Sequence, residues 1–297
     1  MRAALLSDRG VVKVAGDDAQ KLLNGLLTAD IGRVTPQSAA FAALLTPQGK
    51  IIVDCIVAVA PDADGGGYFL DCPRALVTTF VGRLNFYKLR AKVIIEDLND
   101  TLGVLAVWGE EPATNPQGLS YLDPRLPALG LRVMLPPHRA AAVATGIGAE
   151  TVDASVYEAH RIALGVPRGG LDFMYGDAYP HETDMDQLQG VDFDKGCYVG
   201  QEVVSRIEHR ARARTRIVPV AYDDFAPEVG IPVTAGDKQV GTMGSAAAGR
   251  GLAMLRLDRV AEALAAGATL SSGGIALRIV KPDWMRVAFP GEAAAAE

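Results

Sequence analysis

Apolar residues in this chain alternate with polar ones or fall in short blocks, and only a few stretches keep helical spacing. Gly10-Val11-Val12-Lys13-Val14-Ala15 predicts a strand, and Asp17 stands as the cap of a helix over 18–27. Strands are predicted over 42–45, 50–59 and 68–72, separated by a turn at Thr46-Pro47-Gln48-Gly49 and a glycine-rich hairpin loop over 61–67. Leu76, Phe80, Leu84 and Tyr87 share one helical face and predict a helix over 74–88. Strands over 93–95, 104–108 and 131–135 follow, with a proline- and glycine-rich connector over 110–118. A helix over 157–164 is stopped by Gly165 and Pro167. From about residue 213 short strands with glycine turns dominate, which predicts a small β-barrel. The fold class expected is α+β with antiparallel sheets. No strand followed by GxGxxG opens a helix, so a dinucleotide fold is not supported.

Composition narrows the function classes. Hydrophobic residues make up 49% and charged residues 22%, an ordinary balance for a soluble chain with a sizeable core. No run of 18 uncharged apolar residues occurs, and charge enters the N-terminus too early for a signal-peptide core, so no membrane association and a cytoplasmic location are expected. The net charge of −6 argues against direct nucleic-acid binding. Two basic clusters depart from that average: Arg206, Arg210, Arg212, Arg214 and Arg216, and Arg83, Lys88, Arg90 and Lys92. On extended strands this spacing would put charge on one face, either solvated or facing an anionic partner such as a polyglutamylated folate tail.

The 3 cysteines, Cys55, Cys72 and Cys197, are too few and scattered for a disulfide framework or a self-sufficient cluster site. The 4 histidines show no HxxxH or HExxH spacing, so no permanent metal is expected. One segment stands apart: Lys195-Gly196-Cys197-Tyr198-Val199-Gly200-Gln201-Glu202. It sets a thiol between two glycines, beside a lysine and ahead of a predicted helix, where positive charge would favour the thiolate. Gly196 and Gly200 would permit positive φ or close approach to the backbone. Gln201 and Glu202 would fall in the first helical turn, and Tyr198 would stack on a planar ligand or simply pack. The same residues also suit a plain turn carrying a half-buried cysteine.

The octapeptide resembles the K-G-C-aromatic-x-G-Q-E signature of the YgfZ-type folate-binding proteins, relatives of the glycine-cleavage aminomethyltransferase that are linked to iron–sulfur protein maturation. All seven specified positions match. Weaker likenesses lie in the segment over 16–31, in Arg161-Ile162-Ala163-Leu164-Gly165-Val166-Pro167 and in Pro180-His181-Glu182-Thr183-Asp184. The resemblance implies a folate-binding aminomethyltransferase-like region with a ferredoxin-like part over 1–212, as one piece or as two discontinuous subdomains, a barrel over 213–290 and a tail over 291–297. It implies tetrahydrofolate or a derivative as ligand, a transient shared iron–sulfur cluster, and A-type iron–sulfur carriers and apo iron–sulfur enzymes as partners. Cys197 would be the reactive residue or cluster ligand, with Lys195, Tyr198, Gln201, Glu202, Asp54, Glu182 and Arg161 as cofactor contacts. The alternative is a tetrahydrofolate-dependent aminomethyltransferase or demethylase. Against it, the paired acids that the aminomethyltransferases carry are broken here, because Val53 precedes Asp54.

Overall fold

The computed structural model describes residues 1–110, 116–210 and 213–289. The chain packs as two units: Met1–Tyr157 with Leu188–Gln201, and Glu158–Gln187 with Glu202–Glu297. This division differs from a linear one at residues 212 and 213, because Glu158–Gln187 and the residues from Glu202 onward pack with the barrel. Part of the 110–118 connector, Arg212 and the 291–297 tail lie outside the described residues.

The first unit holds ten strands: β1 (Arg2–Leu6), β2 (Arg9–Ala15), β3 (Ala40–Leu45), β4 (Ile51–Val59), β5 (Tyr68–Pro73), β6 (Ile94–Asp97), β7 (Gly103–Trp108), β8 (Leu119–Leu122), β9 (Leu131–Leu135) and β10 (Glu150–Thr151). They form two five-stranded sheets, ordered β10-β1-β7-β9-β8 and β3-β4-β5-β2-β6. Every pairing is antiparallel except that of β1 with the short β10. Helices α1 (Ala19–Leu26) and α2 (Val77–Lys88) cover one face of the second sheet. Strand alternation decides what lies beneath them. Val53, Cys55 and Val57 of β4 and Leu70 and Cys72 of β5 join Leu23, Phe80 and Leu84 in one core. Phe80 and Leu84 are fully buried, each contributing about 1.5–3 kcal/mol of hydrophobic stabilisation. Helix α3 (Ala140–Gly146) covers the first sheet through Val143 and Ala144.

On the opposite face, β5 presents Asp71, which accepts hydrogen bonds from Arg9 Nε at 2.6 Å and Arg132 Nη1 at 2.5 Å. Arg132 of β9 also donates through Nε to Asp123 at 2.8 Å, and Arg125 binds the same carboxylate at 2.8 and 3.0 Å. An alternating chain of charges thus ties one sheet to the other inside the first unit.

The chain enters the second unit within α4 (Ala154–Ala163) and again at the start of α5 (Gln201–Arg210). Six strands follow: β11 (Thr215–Ala221), β12 (Pro232–Ala235), β13 (Lys238–Ala247), β14 (Arg250–Arg256), β15 (Leu270–Ser272) and β16 (Ile275–Ile279). They close into a barrel ordered β11-β14-β13-β12-β15-β16, filled by Val218, Val220, Val233, Met243, Leu255 and Leu277. Helix α6 (Leu257–Ala265) adds Val260 to that core. Among the described residues no helix is long and apolar enough to cross a membrane.

Several elements escape the sequence pattern. Helix α3 is built on alanines, with too few large apolar residues to give a periodic signal. Asp18 rather than Asp17 occupies the cap position of α1, and its carboxylate accepts the Lys92 amide at 2.8 Å instead of a helical one. Neither basic cluster forms one strand face. Arg206 lies on α5, Arg83 and Lys88 lie on α2, and Arg216 is buried against acids.

Candidate functional site

The octapeptide is pinned to the first unit at both ends, and the cysteine between is left outside. Helix α1 has no basic residue in its last turn, so its terminal carbonyls need outside donors. Lys195 supplies them: Nζ donates to the carbonyls of Asn24, Leu27 and Ala29, each at 2.7 Å. Three ammonium protons match three acceptors at the negative end of a helix dipole. Burial lowers the Lys195 pKa to about 8, so the ammonium persists at neutral pH. Its three donors are therefore committed to the carbonyls of Asn24, Leu27 and Ala29. Neighbouring bonds hold the same seam, with Thr28 Oγ1 donating to the Gly190 carbonyl at 2.5 Å and Asp192 N–H donating to the Thr28 carbonyl at 2.9 Å.

Tyr198 is buried, lies 5.2 Å from Lys195 Nζ across its ring face, and has its phenol pushed up to about 12 by burial. It packs, one of the two roles expected of it. Gly200 sits at φ +84°, and a Cβ there would come within 2.6 Å of the Thr46 carbonyl. Only glycine meets both demands. A Gly200→Ala variant is expected to lose about 1–3 kcal/mol in urea denaturation. An unchanged midpoint would contradict this packing. At Gly196 an added Cβ would meet nothing within 4 Å, and Cys197 beside it is exposed. Cys55 and Cys72 are buried, and burial raises both thiols above the ordinary range.

The remaining candidates separate. Gln201 opens α5 with its N–H on the Tyr198 carbonyl at 3.2 Å. Glu202 is exposed and pairs with Arg206 at 2.6 Å, one turn along the helix, so it is a surface residue of α5 rather than a ligand contact. Arg161 is an internal tie: Nη1 donates to the Val166 carbonyl at 2.6 Å and to Asp172 at 2.8 Å. Its Nη2 donates to Glu158 and to Ser245 Oγ. Asp54 is buried on β4, on the face that also carries Asp71. Glu182 accepts the Tyr179 amide at 2.9 Å and lines a cavity of the second unit with His181, Arg214, Thr215 and Arg256.

Sequence spacing missed a knot beside that cavity. Arg216 donates to Asp184 at 3.0 Å, to both oxygens of Asp186 at 2.9 and 2.7 Å, and to the His181 carbonyl at 2.8 Å. Burial pushes the Asp184 carboxyl well above its usual range despite Arg216. His181, Asp186 and Glu208 bring ligand atoms within 4.8 Å of one another. Both oxygens of Asp186 already face a guanidinium, however, and His181 Nε2 lies 3.0 Å from Glu208. The grouping is explained by these bonds without an ion.

Two sheets with flanking helices and a closed barrel define the chain as an aminomethyltransferase-fold protein with a C-terminal β-barrel. The crystal structure of glycine cleavage system aminomethyltransferase T from Bartonella henselae superposes with a TM-score of 0.72 over 97% of this chain and 87% of that one. Sequence identity is 14%, so this likeness concerns the fold alone. Residues 214–287 match the family described as CAF17, C-terminal beta-barrel domain. Iron-sulfur cluster assembly factor IBA57, mitochondrial, of Mus musculus is 31% identical over 94% of this chain and 84% of its own length. The Homo sapiens protein of that name is 29% identical with the same coverage. A homolog from Mycosarcoma maydis is 36% identical over 74% of this chain, which spans 57% of that relative's length. The chain belongs to the IBA57 family of iron–sulfur cluster assembly factors, and the YgfZ-type resemblance is thereby upheld. These relatives are named as mitochondrial proteins, which overturns the cytoplasmic expectation.

Proposed function

We propose that the chain assists iron–sulfur cluster assembly by presenting Cys197 as a partner-facing thiol. The observation that carries this reading is the contrast among the three cysteines: Cys197 is exposed on a loop anchored at Lys195 and Gly200, while the other two are buried. A cluster ordinarily needs four thiolate-type ligands, so one exposed cysteine supplies one ligand and a partner must supply the others. An A-type carrier holding a cluster, with an apo iron–sulfur enzyme as recipient, fits that requirement. The exposure of Cys197 supports it, because a thiol must be reachable for a partner to share it.

Tetrahydrofolate enters the proposal only as a bound group. The acceptor that pterin N–H groups require is a carboxylate such as Glu182, which lines the cavity of the second unit; Asp54, buried in the first unit, is a separate candidate. Bound folate carries one-carbon units, and no step of cluster handling is assigned to it.

The test is an anaerobic titration of the purified chain with a carrier loaded with a [2Fe–2S] cluster, followed by circular dichroism in the visible range. A saturable spectral change and a co-eluting complex are expected with the wild type and not with Cys197→Ser. Equal behaviour of the two proteins would refute a ligand role for Cys197.

A further inference from the structure

The first unit carries a cationic, apolar-lined groove that the proposed role of Cys197 does not use. It runs between α1 and the end of α2, lined by Leu22, Gly25 and Leu26 on one side and Tyr87, Lys88, Leu89 and Arg90 on the other. Lys21 and Asp18 complete the rim. Asp18 is the one acid among these residues, and it is already bonded to the Lys92 amide. The groove therefore has a surplus of positive charge on a chain whose net charge is −6.

Two features of the groove are costly for a fold with no use for it. Leu89 stands at φ +47°, a left-handed value that a leucine adopts at a conformational cost, and is 87% exposed. Gly25 stands inside α1, where alanine or leucine would stabilise the helix, and a Cβ there would meet nothing within 4 Å. Strain and an exposed apolar side chain at Leu89 thus coincide with open space beside Gly25 in the lining of one groove.

We infer that this groove docks an acidic segment of a partner protein, an extended stretch in which Asp or Glu alternates with leucine-like side chains. Charge complementarity selects the acids through Lys21, Lys88 and Arg90. The apolar lining of Leu22, Tyr87 and Leu89 selects the leucines, a demand that a run of carboxylates alone does not meet. A concave lining suits a peptide better than the flat headgroup surface of a membrane. The site is independent of the cluster proposal, although α1 serves both, with its side chains in the groove and its terminal carbonyls on Lys195.

The test is fluorescence anisotropy on the full chain with a fluorescein-labelled ten-residue peptide of alternating Glu and Leu. A decamer of glutamate and vesicles of phosphatidylserine and phosphatidylcholine serve as separate arms. Saturable peptide binding is expected, about tenfold or more tighter than the glutamate decamer and weakened by salt. Lys88→Glu with Arg90→Glu should weaken it at least about tenfold. Gly25→Leu fills the open space, and Leu89→Gly relieves the strained φ while removing the exposed leucine. Both are expected to abolish binding while melting at or above the wild-type temperature, so a loss cannot be ascribed to unfolding. Absence of saturable binding, equal affinity for the glutamate decamer, preference for the vesicles, or wild-type affinity in Gly25→Leu and Leu89→Gly would each overturn the inference.

Discussion

Arg132→Met is expected to destabilise the first unit by about 3–5 kcal/mol, because it strips one partner from each of two buried carboxylates. Asp71 and Asp123 are essentially inaccessible to solvent, and Arg132 is the residue that binds both, at 2.5 and 2.8 Å. Methionine keeps most of the apolar stem, so the lost quantity is charge pairing rather than packing volume. Arg9 and Arg125 remain on the two acids and set the loss below that of a fully isolated buried charge. Urea unfolding followed by Trp108 fluorescence, in a background where Trp284 is phenylalanine, reports the first unit alone, since Trp108 lies on β7. A shift under 1 kcal/mol would contradict the role given to the network.

The same network fixes a dependence on pH. Arg9 and Arg132 hold Asp71, and Arg125 and Arg132 hold Asp123, below the usual carboxylate range, although burial alone would raise both. A carboxyl whose folded pKa is depressed stabilises the fold fully above its unfolded value of about 3.9. That contribution is lost as the pH falls through the folded values. The wild type should therefore lose stability as pH falls below about 4, and Arg132→Met should show a shallower loss over that range.

Much of the fold was legible because its strands are short, apolar and bounded by glycine or proline. Strands β2, β4, β5, β7, β9, β11 and β14 lie close to where patterning predicts them. Helices α1, α2, α4 and α5 do so within a few residues. What escaped is what depends on distant residues. Arg9, Asp71 and Arg132 are separated by about 60 positions each, and no local pattern distinguishes them from surface charges. Lys195 shows the same limit at the site. Proximity to Cys197 in sequence suggested electrostatic help for the thiol, yet the acceptors of its ammonium lie 166–171 positions away. Arg161 was expected as a cofactor contact from the resemblance alone, and it is bound by Glu158, one helical turn before it, and by Asp172 beyond the helix. The octapeptide was legible as a motif, whereas its anchoring required coordinates.

Cys197→Ser is expected to remove the proposed activity while leaving the fold intact. The side chain is exposed, serine is nearly isosteric, and the bonds that hold the loop belong to Lys195, Tyr198 and Gly200. Its melting temperature should stay at the wild-type value, as surface substitutions away from such bonds usually change stability by about 0.5 kcal/mol or less. Serine cannot provide a thiolate, so the variant lacks the one accessible soft ligand among the described cysteines. Lys195→Met offers the complementary case, with the thiol present and the anchor on α1 removed, and a partial loss of function on the order of tenfold is expected from misplacement of the sulfur. The most direct measurement is restoration of [4Fe–4S] enzyme activity in a strain deleted for its own family member, with wild type and Cys197→Ser expressed at matched levels. The account predicts that the wild type restores activity and that Cys197→Ser, folded and equally abundant, does not; full restoration by Cys197→Ser would contradict it.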